Sequence, residues 1–230
     1  MTRLYHPGSL ALRLTVSLAD EHIHYLRNVL RYSVGDSLNL FNQESGEFEA
    51  TITVLTKSKI DVLIGENVRQ PETEKQLTLI FCPIKNDALH YLIEKCTEVG
   101  VTEFQPVIMQ YGNIHKVNIE KLQRIATDAA QQCERLSVPV IHPLKKLEQV
   151  LSSWDQHRKI HACFERLLSE SRPDFASGAA ILIGPEGGLH PDEVSLLKRQ
   201  PFVEPLSLGK NILRAETAAV VASAFALIEN

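Results

Sequence analysis

The sequence predicts an α/β protein in two parts: a small barrel of short strands closed around one helix, then a mainly parallel sheet covered by helices on both faces. Three observations predict it. Between residues 47 and 55, Phe48, Ala50, Ile52 and Val54 alternate with polar or β-branched neighbours, the period-two pattern of a half-buried strand. From Leu77 onward, short apolar runs alternate with helical patterns, which argues for parallel strands joined by helical crossovers. Near the carboxy terminus, two apolar runs each end in a glycine-bearing turn, Ile183-Gly184-Pro185-Glu186-Gly187-Gly188 and Leu206-Ser207-Leu208-Gly209-Lys210-Asn211-Ile212-Leu213-Arg214.

In chain order, residues 1–72 read as mostly β. Leu38–Phe41, Glu47–Leu55 and Lys59–Ile64 are strand-like, with turns at Gly35-Asp36 and Ser45-Gly46. Ahead of them a helix is expected over Asp20–Tyr32, with Asp20 as N-cap and Ile23, Leu26, Val29 and Leu30 as its apolar side. Its other side carries His24, Arg27, Asn28 and Arg31. The polar stretch Glu66–Gln76, with Pro71, is the expected linker, so the second domain is residues 73–230. There Leu77–Phe81, Glu103–Met109, Ser137–Ile141, Lys159–Phe164 and Ala179–Ile183 are the expected strands. Helices are expected from Asp87 to Val99, stopped by Gly100, from Asn118 to Leu136, from Leu147 to Trp154, and onward from Pro191. The apolar segment Ala218–Ile228 fits a buried helix or an interface equally.

Composition narrows the function only a little. Hydrophobic residues make up 44% of the 230, ample for a core, and the formal charge of −4 gives no global basic signature of nucleic-acid binding. Charge is informative locally. In residues 1–32, Arg3, Arg13, Arg27 and Arg31 are opposed only by Asp20 and Glu21. An arginine fork suits phosphate, and a solvated helix face explains the same pattern. Cys82, Cys96, Cys133 and Cys163 form no C-x-x-C pair and read as small buried side chains. With no signal-peptide pattern, a reducing cytoplasmic compartment is expected. No apolar run approaches the ~20 residues that span a bilayer.

The chemistry concentrates in the two glycine turns. A strand that ends in glycine lets the backbone approach a ligand closely, and open α/β sheets bind ligands at the carboxyl ends of their strands. The pair therefore predicts one small-molecule pocket, against the alternative of ordinary strand-to-helix turns. No G-x-G-x-x-G follows a strand, no complete P-loop is present, and no H-E-x-x-H or other metal spacing occurs, so no metal is expected.

These same residues carry a resemblance. G-P-E-G-G at 184–188 followed by L-G-x-x-I-L-R-x-E-T-A at 208–218 resembles the RsmE family of SPOUT-class methyltransferases, which methylate N3 of a uridine in 16S ribosomal RNA with S-adenosylmethionine. H-I-H-Y-L-R-N-V-L-R at 22–31 is similar to the family's amino-terminal PUA-like RNA-binding domain. Lys85 with E-K-C-T-E-V-G-V at 94–101, and A-Q-Q-C-E-R at 130–135 leading to Val138-Pro139, are similar to two further family motifs.

The resemblance implies a PUA-like β-barrel followed by a SPOUT α/β domain with a carboxy-terminal trefoil knot, acting as a homodimer on the small ribosomal subunit. It implies a cofactor site built from Leu182, Gly184, Glu186, Gly187, Gly188, Leu206, Ser207, Leu208, Gly209, Ile212 and Leu213. The implied RNA contacts are Arg3, His24, Arg27, Arg31, Lys85 and Arg135. Arg214 is expected to orient the base or its phosphate and balance negative charge. Glu216 is expected to orient Arg214, to accept the N3 proton, or to cap the following helix; Glu186 and Glu98 share this ambiguity. At Asn211 the family usually carries arginine, a role that would be lost or moved to Lys210. The alternatives are a SPOUT enzyme acting on another RNA, and a non-catalytic RNA-binding assembly factor.

Overall fold

A computed structural model describes residues 1–164 and 175–228, in two compact units: Met1–Thr73 with Ala130–Val138, and Glu74–Ala129 with Pro139–Asn230.

The first unit is a five-stranded sheet in the order β1-β3-β4-β5-β2. Its strands are β1 (Arg3–Tyr5), β2 (Thr15–Ser17), β3 (Ser37–Asn42), β4 (Gly46–Leu55) and β5 (Ile60–Arg69). β1 pairs with β3 in parallel and the other pairings are antiparallel. The alternation read in β4 is real: Phe48, Ala50 and Ile52 are buried with Leu38, Leu40, Val62 and Ile64. β1 and β2 were not expected, because three residues are too few to show a period. β5 runs on to Arg69, into the stretch expected to be linker, because its pairing with β4 extends to Glu47 opposite Arg69.

The helix expected over Asp20–Tyr32 is shorter and distorted. α1 (Glu21–His24) passes into a π turn at Tyr25–Val29. The chain then leaves helical geometry at Arg31, whose φ is +56°. Asp20 has helical dihedrals and makes no cap hydrogen bond, so the cap reading is corrected. The extra residue in the π turn puts Leu26 in the core and leaves Val29 57% exposed, against the apolar face expected for it.

The second unit holds a parallel sheet in the order β12-β10-β11-β6-β7-β8, with β9 pairing β7. The strands are β6 (Leu77–Phe81), β7 (Glu103–Ile108), β8 (Val140–Ile141), β9 (Lys145–Lys146), β10 (Ile160–Cys163), β11 (Ala179–Ile183) and β12 (Val203–Leu206). The helices are α2 (Asn86–Val99), α3 (Ile119–Gln132), α4 (Leu147–Ser152), α5 (Pro191–Lys198) and α6 (Ala215–Leu227). β6 and β11 are buried along their whole length, as strands covered on both faces must be.

One face packs against α2 and α6. α6 presents Ala215, Ala218, Ala219, Ala222, Ser223 and Ala226 inward, a row of small residues that suits close approach, and Ser223 Oγ lies 3.9 Å from Cys96 Sγ on α2. The other face buries Ile80, Val107, Leu182 and Leu197. Gly100, at φ +117°, ends α2 as expected, whereas Asp87 is not its cap; Lys85 is, without a side-chain bond. Asn118 Oδ1 accepts from the Lys121 amide at 3.0 Å and does cap α3. α3 stops at Gln132 rather than Leu136, because Glu134 takes φ +62°.

Candidate active site

The carboxyl ends of β10, β11 and β12 open into one cavity of about 920 Å³. Each side of it has a local cause. After β11 the chain turns at Gly184, where a Cβ would stand 3.1 Å from Leu189 Cδ2. The turn closes with the Gly188 amide donating to the Pro185 carbonyl at 2.9 Å, and Gly188 sits at φ +76°, a conformation that strains any side chain. α5 then starts on Pro191, with His190 as N-cap; its Nδ1 accepts from the Asp192 amide at 3.2 Å. Glu193, 3% exposed, accepts from the His190 amide through Oε2 at 3.0 Å and from the Gln110 amide through Oε1 at 2.8 Å. One buried carboxylate thus ties the loop after β7 to the loop after β11.

The side after β12 is looser. Leu206 is buried, but Gly209, Lys210, Asn211 and Ile212 are exposed. Gly209 has φ +106° and open space where a Cβ would stand. Its amide donates to Ser207 Oγ at 3.4 Å, a long bond. Arg214, exposed, is the N-cap residue of α6 and makes no cap hydrogen bond. From the end of β10 come Cys163 and Phe164. Burial pushes the Cys163 thiol up to about 12, so at neutral pH it offers the cavity an uncharged sulfur and no nucleophile.

Ten of the eleven expected cofactor residues line this cavity: Gly184, Glu186, Gly187, Gly188, Leu206, Ser207, Leu208, Gly209, Ile212 and Leu213. The eleventh, Leu182, does not. Successive strand residues point to opposite faces, so Ile183 reaches the cavity while Leu182 is fully buried in the opposite core. Arg214 lines the cavity; Glu216, half-buried in the first turn of α6, does not, and Glu186 is the carboxylate that does. Sequence reasoning missed Cys163, Phe164, Leu189, Val194, Lys198, Ala215 and Ala218. A signal existed for Val194 and Lys198, which are one helical turn apart on the helix that Pro191 announces.

The expected RNA-contacting residues scatter more. His24, Arg27 and Arg31 are exposed within one short segment of the first unit, and Lys85 is exposed in the second. Arg135 is half-buried and donates to Ser137 Oγ at 2.8 Å. Arg3 is corrected. Its side chain is 8% exposed, and its guanidinium forms a bidentate pair with Glu47, both bonds 2.9 Å. It also donates to the carbonyls of Gln131, Glu134 and Arg135 and lies 4.3 Å from the Phe41 ring centre. Burial pushes the Glu47 carboxyl up, but the hydrogen bonds from Arg3 and Asn39 outweigh it and hold the carboxyl below its ordinary value. A guanidinium so occupied has no fork left for phosphate.

Among the described residues no cluster of histidine, cysteine or acidic side chains is arranged to hold a metal, and no helix is long and apolar enough to cross a membrane.

Residues 71–227 match the RNA methyltransferase domain family, and residues 18–65 match the RNA methyltransferase PUA domain family. The ribosomal RNA small subunit methyltransferase E of Rickettsia conorii is 38% identical, over 96% of this chain and 93% of its own. The protein of the same name from Synechocystis is 33% identical, over 93% of this chain and 73% of its own. A crystal structure of the Neisseria gonorrhoeae ribosomal RNA small subunit methyltransferase E bound to S-adenosyl methionine superposes with a TM-score of 0.87 at 29% identity, over 97% of this chain and 95% of that one.

Proposed function

The chain belongs to the ribosomal RNA small subunit methyltransferase E family, and from that premise we propose that it transfers the methyl group of S-adenosylmethionine to N3 of a uridine in 16S ribosomal RNA. The observation that carries the reading is the cavity at the ends of β10, β11 and β12, built from two glycine turns in a chain similar to an enzyme solved with that cofactor.

The residues present fit the cofactor. Leu206, Leu208, Leu213 and Ala218 give an apolar slot for the adenine. Gly184, Gly187 and Gly188 line the cavity with bare backbone, whose carbonyls and unbonded amides serve as its polar partners, the Gly188 amide being already held by the Pro185 carbonyl. When bound, the cofactor supplies an electrophilic methyl group on a sulfonium. The protein must supply orientation, a place for the N3 proton, and positive charge against the uridine anion that develops as the proton leaves. Arg214, exposed on the cavity, supplies the charge. Glu186, the carboxylate on the cavity, takes the proton. Glu216, in the first turn of α6, complements that helix terminus and steadies Arg214 electrostatically. Lys210 and Lys198 add positive charge at the same rim and cover for Asn211, where the family usually has arginine.

In the same reading, residues 1–72 are a PUA-like barrel that grips RNA through His24, Arg27 and Arg31, with Lys85 and Arg135 extending the contact. Residues 73–230 are the catalytic domain, knotted at its carboxy-terminal end. The exposed Phe225 and Ile228, at the end of α6, suit a homodimer interface. The setting is the cytoplasm, where small subunits are made.

The test is transfer of labelled methyl from S-adenosylmethionine to small ribosomal subunits from a strain lacking the enzyme, followed by digestion to nucleosides. Label in N3-methyluridine is expected. Label in another nucleoside would overturn the substrate assignment, and no binding of the cofactor would favour a non-catalytic assembly factor.

A further inference from the structure

Tyr111 is 47% exposed, and the structure goes to some length to keep it so. It sits in the turn after β7, where the Gly112 amide donates to the Met109 carbonyl at 3.0 Å. The residue before it is pinned by the Gln110 amide bonded to buried Glu193 at 2.8 Å. The residue after it is pinned by packing: Gly112 is buried against the Cys82 sulfur, and a Cβ there would also stand 3.1 Å from the Met109 carbonyl oxygen. The backbone is therefore held on both sides of the tyrosine, by the Gln110 amide and by buried Gly112, while the Gln110 and Tyr111 residues themselves are exposed.

The ring is also fixed sideways. His190 meets it edge-on, with ring centres 5.2 Å apart and planes at 68°. Gly187 lies beneath it so closely that a Cβ would be 3.3 Å from Tyr111 Cβ. Gly187 lines the cavity and Tyr111 does not, so this half-exposed aromatic stands against the outer side of the cavity wall, one residue back from it.

We propose that the Tyr111 ring is a stacking platform for a nucleobase of the RNA substrate, placed where an unstacked base enters the cavity. The proposal rests on the methyltransferase reading above and deepens it. A base brought to a reacting methyl group must leave its neighbours in the RNA, and a flat aromatic face replaces the stacking it gives up. Such a platform must be rigid and exposed, and adjacent to the reacting site; the Glu193 tie, the Gly112 packing and the Gly187 contact provide those three properties.

The experiment compares Tyr111→Phe, Tyr111→Leu and Tyr111→Ala with the unmodified protein. It measures kcat and KM for methyl transfer to small ribosomal subunits, the Kd for S-adenosylmethionine by calorimetry, and the melting temperature. The phenylalanine variant should keep kcat/KM within about threefold. The leucine and alanine variants should lose about tenfold or more, the range expected for one base-on-aromatic stack, with cofactor Kd and melting temperature unchanged. Leucine keeps apolar bulk against Gly187, so it reads the aromatic face alone should the alanine variant fold poorly. Unchanged kcat/KM in the leucine variant would overturn the proposal, and so would a parallel loss of cofactor affinity, which would make the ring a support for the loop. Should the unmodified protein bind cofactor yet transfer no methyl, the proposed function falls by itself. Filter binding of the same subunits then decides the platform: tenfold weaker binding by the leucine variant sustains it, and equal binding removes it.

Discussion

The two glycine turns that meet at the cavity look alike in sequence and differ in mechanical character. The turn after β11 is braced from several directions, by the Gly188–Pro185 bond, by Leu189 packed against Gly184, and by Glu193 tying His190 to Gln110. The turn after β12 has a long Gly209–Ser207 bond, open space at Gly209, and an exposed run through Lys210, Asn211 and Ile212. Rigid backbone suits a ligand that is the same in every turnover, such as a cofactor. Exposed, loosely held side chains suit a large partner that must arrive, be positioned and leave. On this view the braced backbone of the first turn serves the cofactor, while the exposed Lys210, Asn211 and Arg214 of the second serve the RNA and its leucines stay with the adenine slot.

The sharpest way to break that division is Arg214→Ala, which removes a charge from the open side. Methyl transfer should fall by about 100-fold or more, the scale of a lost charge-stabilising group, while calorimetry shows cofactor affinity within a few-fold of normal. Equal losses in both would put Arg214 on the cofactor side. Next is Gly188→Val in the braced turn. A β-branched residue forced to φ +76° stores about 1–3 kcal/mol of strain. Cofactor affinity should therefore drop roughly 10- to 100-fold, read by calorimetry beside the melting temperature.

Gly209→Ala probes the open turn in the same way. The φ of +106° is strained for alanine, but nothing obstructs its methyl group and the loop can relax. The loss should be a few-fold at most, and a loss as large as that at Gly188 would erase the contrast between the turns. The smallest effect concerns Cys163, at the end of β10. Because burial raises its pKa to about 12, the thiolate is scarce until pH nears that value. Site-resolved iodoacetamide labelling should find Cys163 protected from pH 7 to pH 9 in the folded protein and reactive once it is unfolded. Ready labelling at pH 7 would show that wall of the cavity to be open.

How much of this was legible beforehand depended on the kind of signal. The β4 alternation, the fully apolar β6 and β11, and the stops at Gly100 and Pro191 could be read because each is a local pattern with a local cause. β1 and β2 could not, since three-residue strands exist only through their partners β3 and β5. Arg3 shows the deeper limit. An arginine in a basic stretch looks available to phosphate, and nothing nearby in the chain reveals that Glu47 and three carbonyls at 131–135 will occupy it. Leu182 failed more narrowly, by one step of the strand's pleat.

The sequence by itself determined the alternating order of strands and helices, the glycines at Gly184, Gly188 and Gly209 where a side chain is strained or obstructed, and the family to which these motifs belong. Those features depend on residues within a few positions of one another, so the chain spells them out. Tertiary structure decided which glycine turn is braced and which is open, that Glu193 reaches across to Gln110, and that Tyr111 packs against Gly187. The last two, and the Glu193 part of the bracing, depend on groups about 75 to 85 residues apart meeting at a few ångströms. Distances of that kind arise only when the parallel sheet brings the ends of β7 and β11 to the same edge.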